Sequence, residues 1–316
     1  MADSVVAATS ALDCSSNNSF YEPLVGLRLG ALFGILAVSS IGVFLPLFTY
    51  TAKLNKAYFL VRAFAAGVVL VTGYVHVLGD AIPLLSDPCL GLSDTYPWAL
   101  VFASFSSMLA FTLEWNLNQY FTAKLGTSES DSGVIATSVE LGLDAEVISE
   151  KQREKRRLEY TVISTTFEAG VIFHSIFIGI TIGISSSADT VRSLMIALMF
   201  HQMCEGLALG VTFVKAEYSV FKYCLLGLLF LIITPLGIGI GMGVGNSYSA
   251  ESKAALGFEG GFDSLSAGIL IYNGLVDLIV PTFSREELPA QTWLQGLGFI
   301  SMFVGGAIMS LIAKWA

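Results

Sequence analysis

Long runs of apolar residues, separated by short polar segments, follow one another along almost the whole chain. Eight of these runs are close to the ~20 residues that a helix needs to cross a bilayer. They predict membrane-spanning helices at residues 24–49, 57–79, 97–121, 158–185, 190–214, 220–245, 263–283 and 293–313. We therefore expect an all-α integral membrane protein with one transmembrane domain over residues 1–316. Residues 1–23 form its N-terminal tail, and residues 122–157 form a long loop between the third and fourth spans.

The composition agrees with this pattern. Of the 316 residues, 54% are hydrophobic and only 13% are charged, which is typical of a membrane protein and too little charge to cover a soluble domain of this length. The net charge of −9 comes mostly from acidic residues in the connecting segments. Because the sequence has no basic stripe, nucleic acid is excluded as a partner.

Lys and Arg residues are distributed unequally between the two sides of the membrane. Eight spans place both termini on one side, and twelve of the sixteen Lys and Arg residues fall on the other: Lys53, Lys56, Arg62, Lys124, Lys151, Arg153, Lys155, Arg156, Arg157, Lys215, Lys222 and Arg285. Since cytoplasmic loops carry the excess of Lys and Arg, we expect both termini outside and residues 122–157 in the cytoplasm. On the outer side, Cys14 and Cys89 could form a disulfide.

Three polar side chains lie inside the fourth and fifth spans. His174 belongs to the segment FHSIFIGITIG, and His201 and Glu205 belong to FHQMCEGLALG. An acidic side chain at the centre of a membrane helix costs roughly 2.5 kcal/mol or more, so such groups persist where they face a protein-lined or hydrated interior. His201 and Glu205 are four residues apart and share one helix face. Two imidazoles and a carboxylate that converge are a typical ligand set for a divalent metal ion.

The second and seventh spans carry related sequences. Residues 66–76 align without a gap to residues 267–277, which places His76 opposite Asp277. The two spans cross the membrane in opposite directions, so the similarity predicts an inverted repeat of spans 1–3 and 6–8 around spans 4–5. Coincidence between two glycine-containing helices is the alternative. His76 also lies four residues before Asp80, and this pair is either part of a metal path or a hydrated pair at the interface.

The fourth and fifth spans together resemble the signature helices of the ZIP (Zrt-, Irt-like) metal-ion transporters, in their plant and fungal branch. The segment TGYVHVLGDAIP resembles the second helix of that branch, and SAGILIYNGLVDLI and the terminal MSLIAKWA resemble its last two helices. The resemblance extends over nearly the whole membrane portion. It implies eight helices, both termini outside, uptake of Zn²⁺ or Fe²⁺ into the cytosol and a two-metal type of site in the middle of the membrane.

The resemblance also implies roles for particular residues. By position, His174, His201 and Glu205 are the primary ligands, while Ser175 and Gln202 lie where a second metal position takes its ligands.

His76 and Asp80 correspond to an outer access or transport site, and the repeat adds Asp277 to the candidate ligands. Many relatives have a Glu one turn after the histidine of the fourth helix, where this chain has Ile178, so a single transported ion is favoured.

We thus expect a carrier, not an enzyme, that imports divalent metal ions by alternating access. Zn²⁺ or Fe²⁺ is its substrate, and no prosthetic group is expected. The alternative from another class is an intramembrane zinc-dependent hydrolase, although the chain has no HExxH motif and Glu205 would have to be both ligand and base. The expected location is the plasma membrane, the expected partners are the metal ion and the lipid bilayer, and a homodimer is left open.

Overall fold

The structure is a computed structural model that describes residues 24–51, 55–93, 96–124, 145–185, 187–244, 252–284 and 289–314. Apart from one 3₁₀ turn at Pro88–Leu90, the regular elements in these residues are eight long helices. Their bounds are α1 Val25–Thr51, α2 Asn55–Leu85, α3 Trp98–Lys124, α4 Ala145–Ile184, α5 Ala188–Lys215, α6 Val220–Val244, α7 Lys253–Thr282 and α8 Thr292–Ile312.

Each of these helices contains a segment long and apolar enough to cross a membrane, which confirms the eight predicted spans. Three bounds differ from the prediction. Helix α2 continues to Leu85, α7 begins at Lys253 instead of residue 263, and α4 begins at Ala145, inside the predicted loop 122–157. Charged residues lower the hydropathy of these terminal turns, so each apolar run is shorter than the helix that contains it. The N-terminal tail lies outside the described residues.

The helices pack in two groups. In one group α1 packs against α5 and α4 against α6, and in the other α2 packs against α8 and α3 against α7. Glycine lets the backbones meet at these crossings. A Cβ atom placed on Gly183 of α4 would lie 2.5 Å from the carbonyl oxygen of Ile238 of α6, and one on Gly210 of α5 would overlap the carbonyl oxygen of Val43 of α1. A larger residue at either glycine would therefore separate two helix backbones.

Helices α2 and α7 each contain one π-helical segment, at Thr72–Val77 and Asn273–Ile279. These segments fall at equivalent positions of the two similar sequences. The helices also cross symmetrically, since a Cβ on Gly73 would lie 2.8 Å from the Ile271 side chain and one on Gly274 would lie 2.8 Å from the Leu70 amide nitrogen. The inverted repeat of the whole chain stays a prediction, and this reciprocal crossing supports it.

The cysteines divide into two kinds. Cys89, beside the 3₁₀ turn, is disulfide-bonded, and its predicted partner Cys14 lies outside the described residues. Cys204 and Cys224 are free thiols, one buried in α5 and one exposed on α6.

Candidate metal site

Three histidines from three helices converge in the interior. His76 comes from the π-helical segment of α2, His174 from α4 and His201 from α5, and each is at most 2% exposed. Their ring centroids are 4.8 to 5.3 Å apart. One ring nitrogen of each can be chosen so that all three lie within 4.8 Å of one another. The three imidazoles therefore surround one small volume that fits a single ion.

The π-helical segment helps to place His76 in this cluster. A π turn holds more residues than an α turn, and such segments are frequent at functional sites. His76 and Asp80, the pair predicted as an outer access or transport site, thus lie next to the central histidines. The histidine of this pair lies beside His174 and His201, while the carboxylate is 43% exposed. The four-residue spacing of His76 and Asp80 in the sequence could not show that His76 lies beside the other two histidines.

Each histidine has a carboxylate next to it. The Nδ1 atom of His76 is 2.9 Å from Oδ2 of Asp80, and Nε2 of His201 is 3.1 Å from Oε1 of Glu205. Both pairs lie one turn apart on their own helix.

The third carboxylate comes from a different helix. The Nδ1 atom of His174 is 3.4 Å from Oδ1 of Asp263 on α7, and both side chains are buried. Sequence reasoning missed Asp263, because the apolar run of the seventh span starts only at that residue. The signal that could have revealed it is the spacing of Glu259 and Asp263, four residues apart like His76 and Asp80.

Several buried polar atoms around the histidines lack a hydrogen-bond partner among the described residues. They are both ring nitrogens of His76 and of His201, Nε2 of His174, Oγ of Ser175, Oε1 of Gln202 and both carboxylate oxygens of Glu205. The 3.1 Å approach of Glu205 to His201 has the distance of an ion pair but not the angles of a hydrogen bond. Buried polar atoms are nearly always satisfied in folded proteins. A cluster of unsatisfied nitrogen and oxygen donors is what a divalent cation would complete.

Asp277 has other neighbours. In the amide orientation that satisfies both of its ends, Asn273 donates to Oδ2 of Asp277 at 3.0 Å and accepts from the backbone N–H of Phe167 on α4 at 3.1 Å. On α3, Glu114 accepts a 2.7 Å hydrogen bond from the hydroxyl of Tyr272 on α7. Asp277 is buried, and the hydrogen bonds of its neighbours Asn273 and Tyr272 join α7 to α4 and α3.

Two more acids lie on helices that pack around the histidines. On one side of the cluster, Glu259 of α7 accepts a 3.2 Å hydrogen bond from the hydroxyl of Thr181 on α4. On the other side, Glu168 precedes His174 by six residues of α4, or about 9 Å along the helix axis, and its side chain is buried. Acidic side chains therefore occur on both sides of the histidine cluster.

Eight membrane-spanning helices and a buried set of imidazole and carboxylate groups define an integral membrane protein that handles a divalent metal ion. The family model described as ZIP Zinc transporter matches residues 25–313, and the chain therefore belongs to the ZIP family. The family consists of metal-ion transporters, so the chain is a divalent metal transporter and not an intramembrane hydrolase.

Curated relatives of this chain are plant transporters. Zinc transporter 3 of Arabidopsis thaliana is 36% identical over 311 residues, which cover 96% of this chain and 89% of the relative. Probable zinc transporter 8 of the same plant is 34% identical over 300 residues, covering 92% and 86% of the two chains. Fe(2+) transport protein 1 of Arabidopsis thaliana is 33% identical over 334 residues, covering 99% and 93%.

Proposed function

We propose that this protein imports Zn²⁺, and Fe²⁺ as a second substrate, into the cytosol. The observation that carries the proposal is the convergence of His76, His174 and His201 with buried carboxylates. Imidazole and carboxylate ligands suit both ions, and the usual stability order favours Zn²⁺ over Fe²⁺ at such a site. The relatives of this chain include zinc transporters and an Fe(2+) transport protein.

The proposed primary ligands are His174, His201 and Glu205. All three are buried, and unsatisfied ligand atoms on each of them support the assignment. Ser175 and Gln202 follow the two histidines directly, and each has a buried neutral oxygen atom without a hydrogen-bond partner among the described residues, which supports them as additional ligands. Because Ile178 provides no charge there, we assign one ion to each transport cycle.

His76 and Asp80 receive the ion on its way to these ligands. The short distances from the His76 ring to the other two imidazoles support a direct transfer without a long aqueous gap. Asp263 and Glu259 add negative charge on the outer side, where a hydrated cation first loses water.

On the other side, Glu168 and Asp277 give the ion successive carboxylate groups toward the cytosol. Asp277 stays in the proposed path as the partner of His76 in the repeat.

Alternating access arises from motion of one helix group against the other. His174 and His201 belong to the group of α1, α4, α5 and α6, whereas His76 belongs to the group of α2, α3, α7 and α8. Motion between the groups would change the separation of His76 from the other two histidines, which would open the cluster to one side at a time. The proposed location is the plasma membrane with both termini outside, supported by the excess of Lys and Arg on the opposite side.

The test is metal flux into vesicles that contain the purified chain and an internal metal indicator. We expect saturable Zn²⁺ uptake that Fe²⁺ inhibits more strongly than Mn²⁺, with Cd²⁺ and Cu²⁺ included to define selectivity. The His201→Ala variant and protein-free vesicles are the controls, and both should show only leakage. Equal flux through wild-type protein and the His201→Ala variant would refute the proposed site.

A further inference from the structure

Three polar contacts cross from α4 to α7. On α4 they involve residues that are seven positions apart, which places them on a single stripe of that helix. From the start of α4, the contacts are a 3.1 Å hydrogen bond from the backbone N–H of Phe167 to Asn273, the 3.4 Å approach of Nδ1 of His174 to Asp263 and a 3.2 Å hydrogen bond from the hydroxyl of Thr181 to Glu259. Since α4 and α7 belong to different helix groups, these contacts join the two groups.

A fourth polar residue lies on the same stripe of α7. Ser266 is seven residues after Glu259 and seven before Asn273, and both of these contact α4. Ser266 is only 1% exposed, and its Oγ atom has no hydrogen-bond partner among the described residues. Because buried hydroxyl groups are nearly always hydrogen-bonded, this hydroxyl is suited to a partner that reaches it in another arrangement of the two helices.

Such an arrangement results from a displacement of α4 along α7 by one helical turn, about 5.4 Å. Helices at packed interfaces can shift past one another in steps of this size. Toward the start of α4, the step would bring Thr181 from Glu259 to Asp263, four residues further along α7. The same step would bring His174 from Asp263 to Ser266, three residues further along.

The contact of Phe167 would be replaced in the same way. Its N–H would leave Asn273 and reach Asp277, which lies one turn further along α7. Each of the three polar groups of α4 therefore has a second polar partner after the step.

A step in the opposite direction would lose two of the three contacts. It would place Phe167 opposite Ile269 and Thr181 opposite Ala255, and neither of these side chains on α7 has a polar atom. The positions of the polar residues thus favour movement toward the start of α4, which is the cytosolic side in the proposed function.

Ser266 would keep the His174 ring in place after the step. A hydrogen-bond partner on one ring nitrogen fixes the orientation of a metal-binding imidazole, and a serine hydroxyl can accept from Nδ1–H or donate to an unprotonated Nδ1. The Nε2 atom of His174 has no partner among the described residues, so it stays available to the ion in both arrangements.

We propose that Ser266 is a positioning residue for transport, which takes over Nδ1 of His174 from Asp263 when α4 moves by one turn along α7. The proposal rests on the proposed function, in which the two helix groups move during import. Asp263 is the partner of His174 while the ion is loaded, and Ser266 is its partner after the step.

The test is initial Zn²⁺ uptake into vesicles that contain the full chain, compared between Ser266→Val and Ser266→Thr. Val and Thr have nearly the same shape, so this pair isolates the hydroxyl. The maximal rate of Ser266→Val should be lower roughly fivefold or more, because the step would leave a buried ring nitrogen unpaired. The Zn²⁺ concentration for half-maximal uptake should not rise, since Ser266 is not the partner of His174 while the ion is loaded.

The matched control is Ser264→Ala. Ser264 is also buried on α7, but its hydroxyl donates a 2.6 Å hydrogen bond to the carbonyl of Gly260 in its own helix. Loss of this hydroxyl should leave the maximal rate within twofold of wild type.

Three results would overturn the proposal. One is an equal maximal rate for Ser266→Val and Ser266→Thr, and another is an equal loss of rate in Ser264→Ala. The third is a lower thermal unfolding temperature of metal-free Ser266→Val than of Ser266→Thr, which would show that the hydroxyl is already bonded before the step. Absence of uptake by the wild-type chain would instead refute the proposed import itself, and the positioning role with it, so the two failures are distinguishable.

Discussion

Replacing Glu205 by Gln removes one charge from the centre of the proposed ion site and changes little else. The side chain is fully buried, and its Oε1 atom is 3.1 Å from Nε2 of His201. Gln has nearly the same size and shape, so the packing between α5 and its neighbours is retained. The change therefore tests the charge of this ligand rather than its volume.

The size of the effect follows from burial. Removing one partner of a buried charge pair costs roughly 3 to 5 kcal/mol, and every 1.4 kcal/mol is a factor of ten in affinity. The Glu205→Gln variant should thus need a Zn²⁺ concentration about a hundred to a few thousand times higher for half-maximal uptake. Gln202→Ala removes a neutral ligand on the same helix. This substitution should cost about the free energy of one hydrogen bond, which raises the Zn²⁺ concentration for half-maximal uptake roughly fivefold.

The assay is the concentration dependence of initial Zn²⁺ uptake in vesicles, normalised to the amount of folded transporter. If Glu205→Gln reached half-maximal uptake at the same Zn²⁺ concentration as the wild type, Glu205 would not be a ligand. The described part of α5 has no other acid within one turn of His201 that could replace it. Equal and complete loss in Glu205→Gln and Gln202→Ala would instead show that two ions are obligatory.

Four further outcomes are expected. Asp263→Asn should reduce the apparent affinity for Zn²⁺ about tenfold without loss of folded protein, because a carboxylate next to a metal-binding imidazole fixes the orientation of His174; an unchanged uptake curve would contradict this. Gly183→Ala should lower the thermal unfolding temperature of the detergent-solubilised chain, because its Cβ would meet a backbone carbonyl of α6, whereas Gly243→Ala, which has open space around it, should not; equal stability of both variants would contradict the packing argument. Deletion of residues 128–150 should leave uptake per surface molecule within a few-fold, as this segment contains no histidine; complete loss at normal surface expression would contradict it. Uptake at limiting Zn²⁺ should decrease as the external pH falls, because protons compete with the metal for imidazole and carboxylate ligands; a rise in uptake on acidification would contradict that competition.

The spans and the central ligands could be predicted because their signals are local. A run of apolar residues identifies a membrane helix without knowledge of its neighbours, and the four-residue spacing places His201 and Glu205 on one face. His174 stands out because a histidine in an apolar run is costly. These inferences need only the chemistry of one helix in a bilayer.

The remaining parts of the site depend on how different helices pack. Asp263, the first residue of the seventh apolar run, lies next to His174 because α7 packs against α4. His76 reaches the cluster from a π-helical turn, which no periodicity in the sequence indicates. Similarly, the hydrogen bond between Tyr272 and Glu114 requires that α7 packs on α3, a pairing that is not between neighbours in sequence.

The distribution of the three histidines over α2, α4 and α5 also determines when the site can form during synthesis. His174 follows His76 by 98 residues, and His201 follows it by 125. At about 5 to 20 residues per second, the ribosome needs roughly 5 to 25 seconds to add the last histidine after the first. During this interval the nascent chain has one or two separate imidazoles and no enclosed cluster. The complete three-histidine site therefore forms only after α5 has joined the bundle.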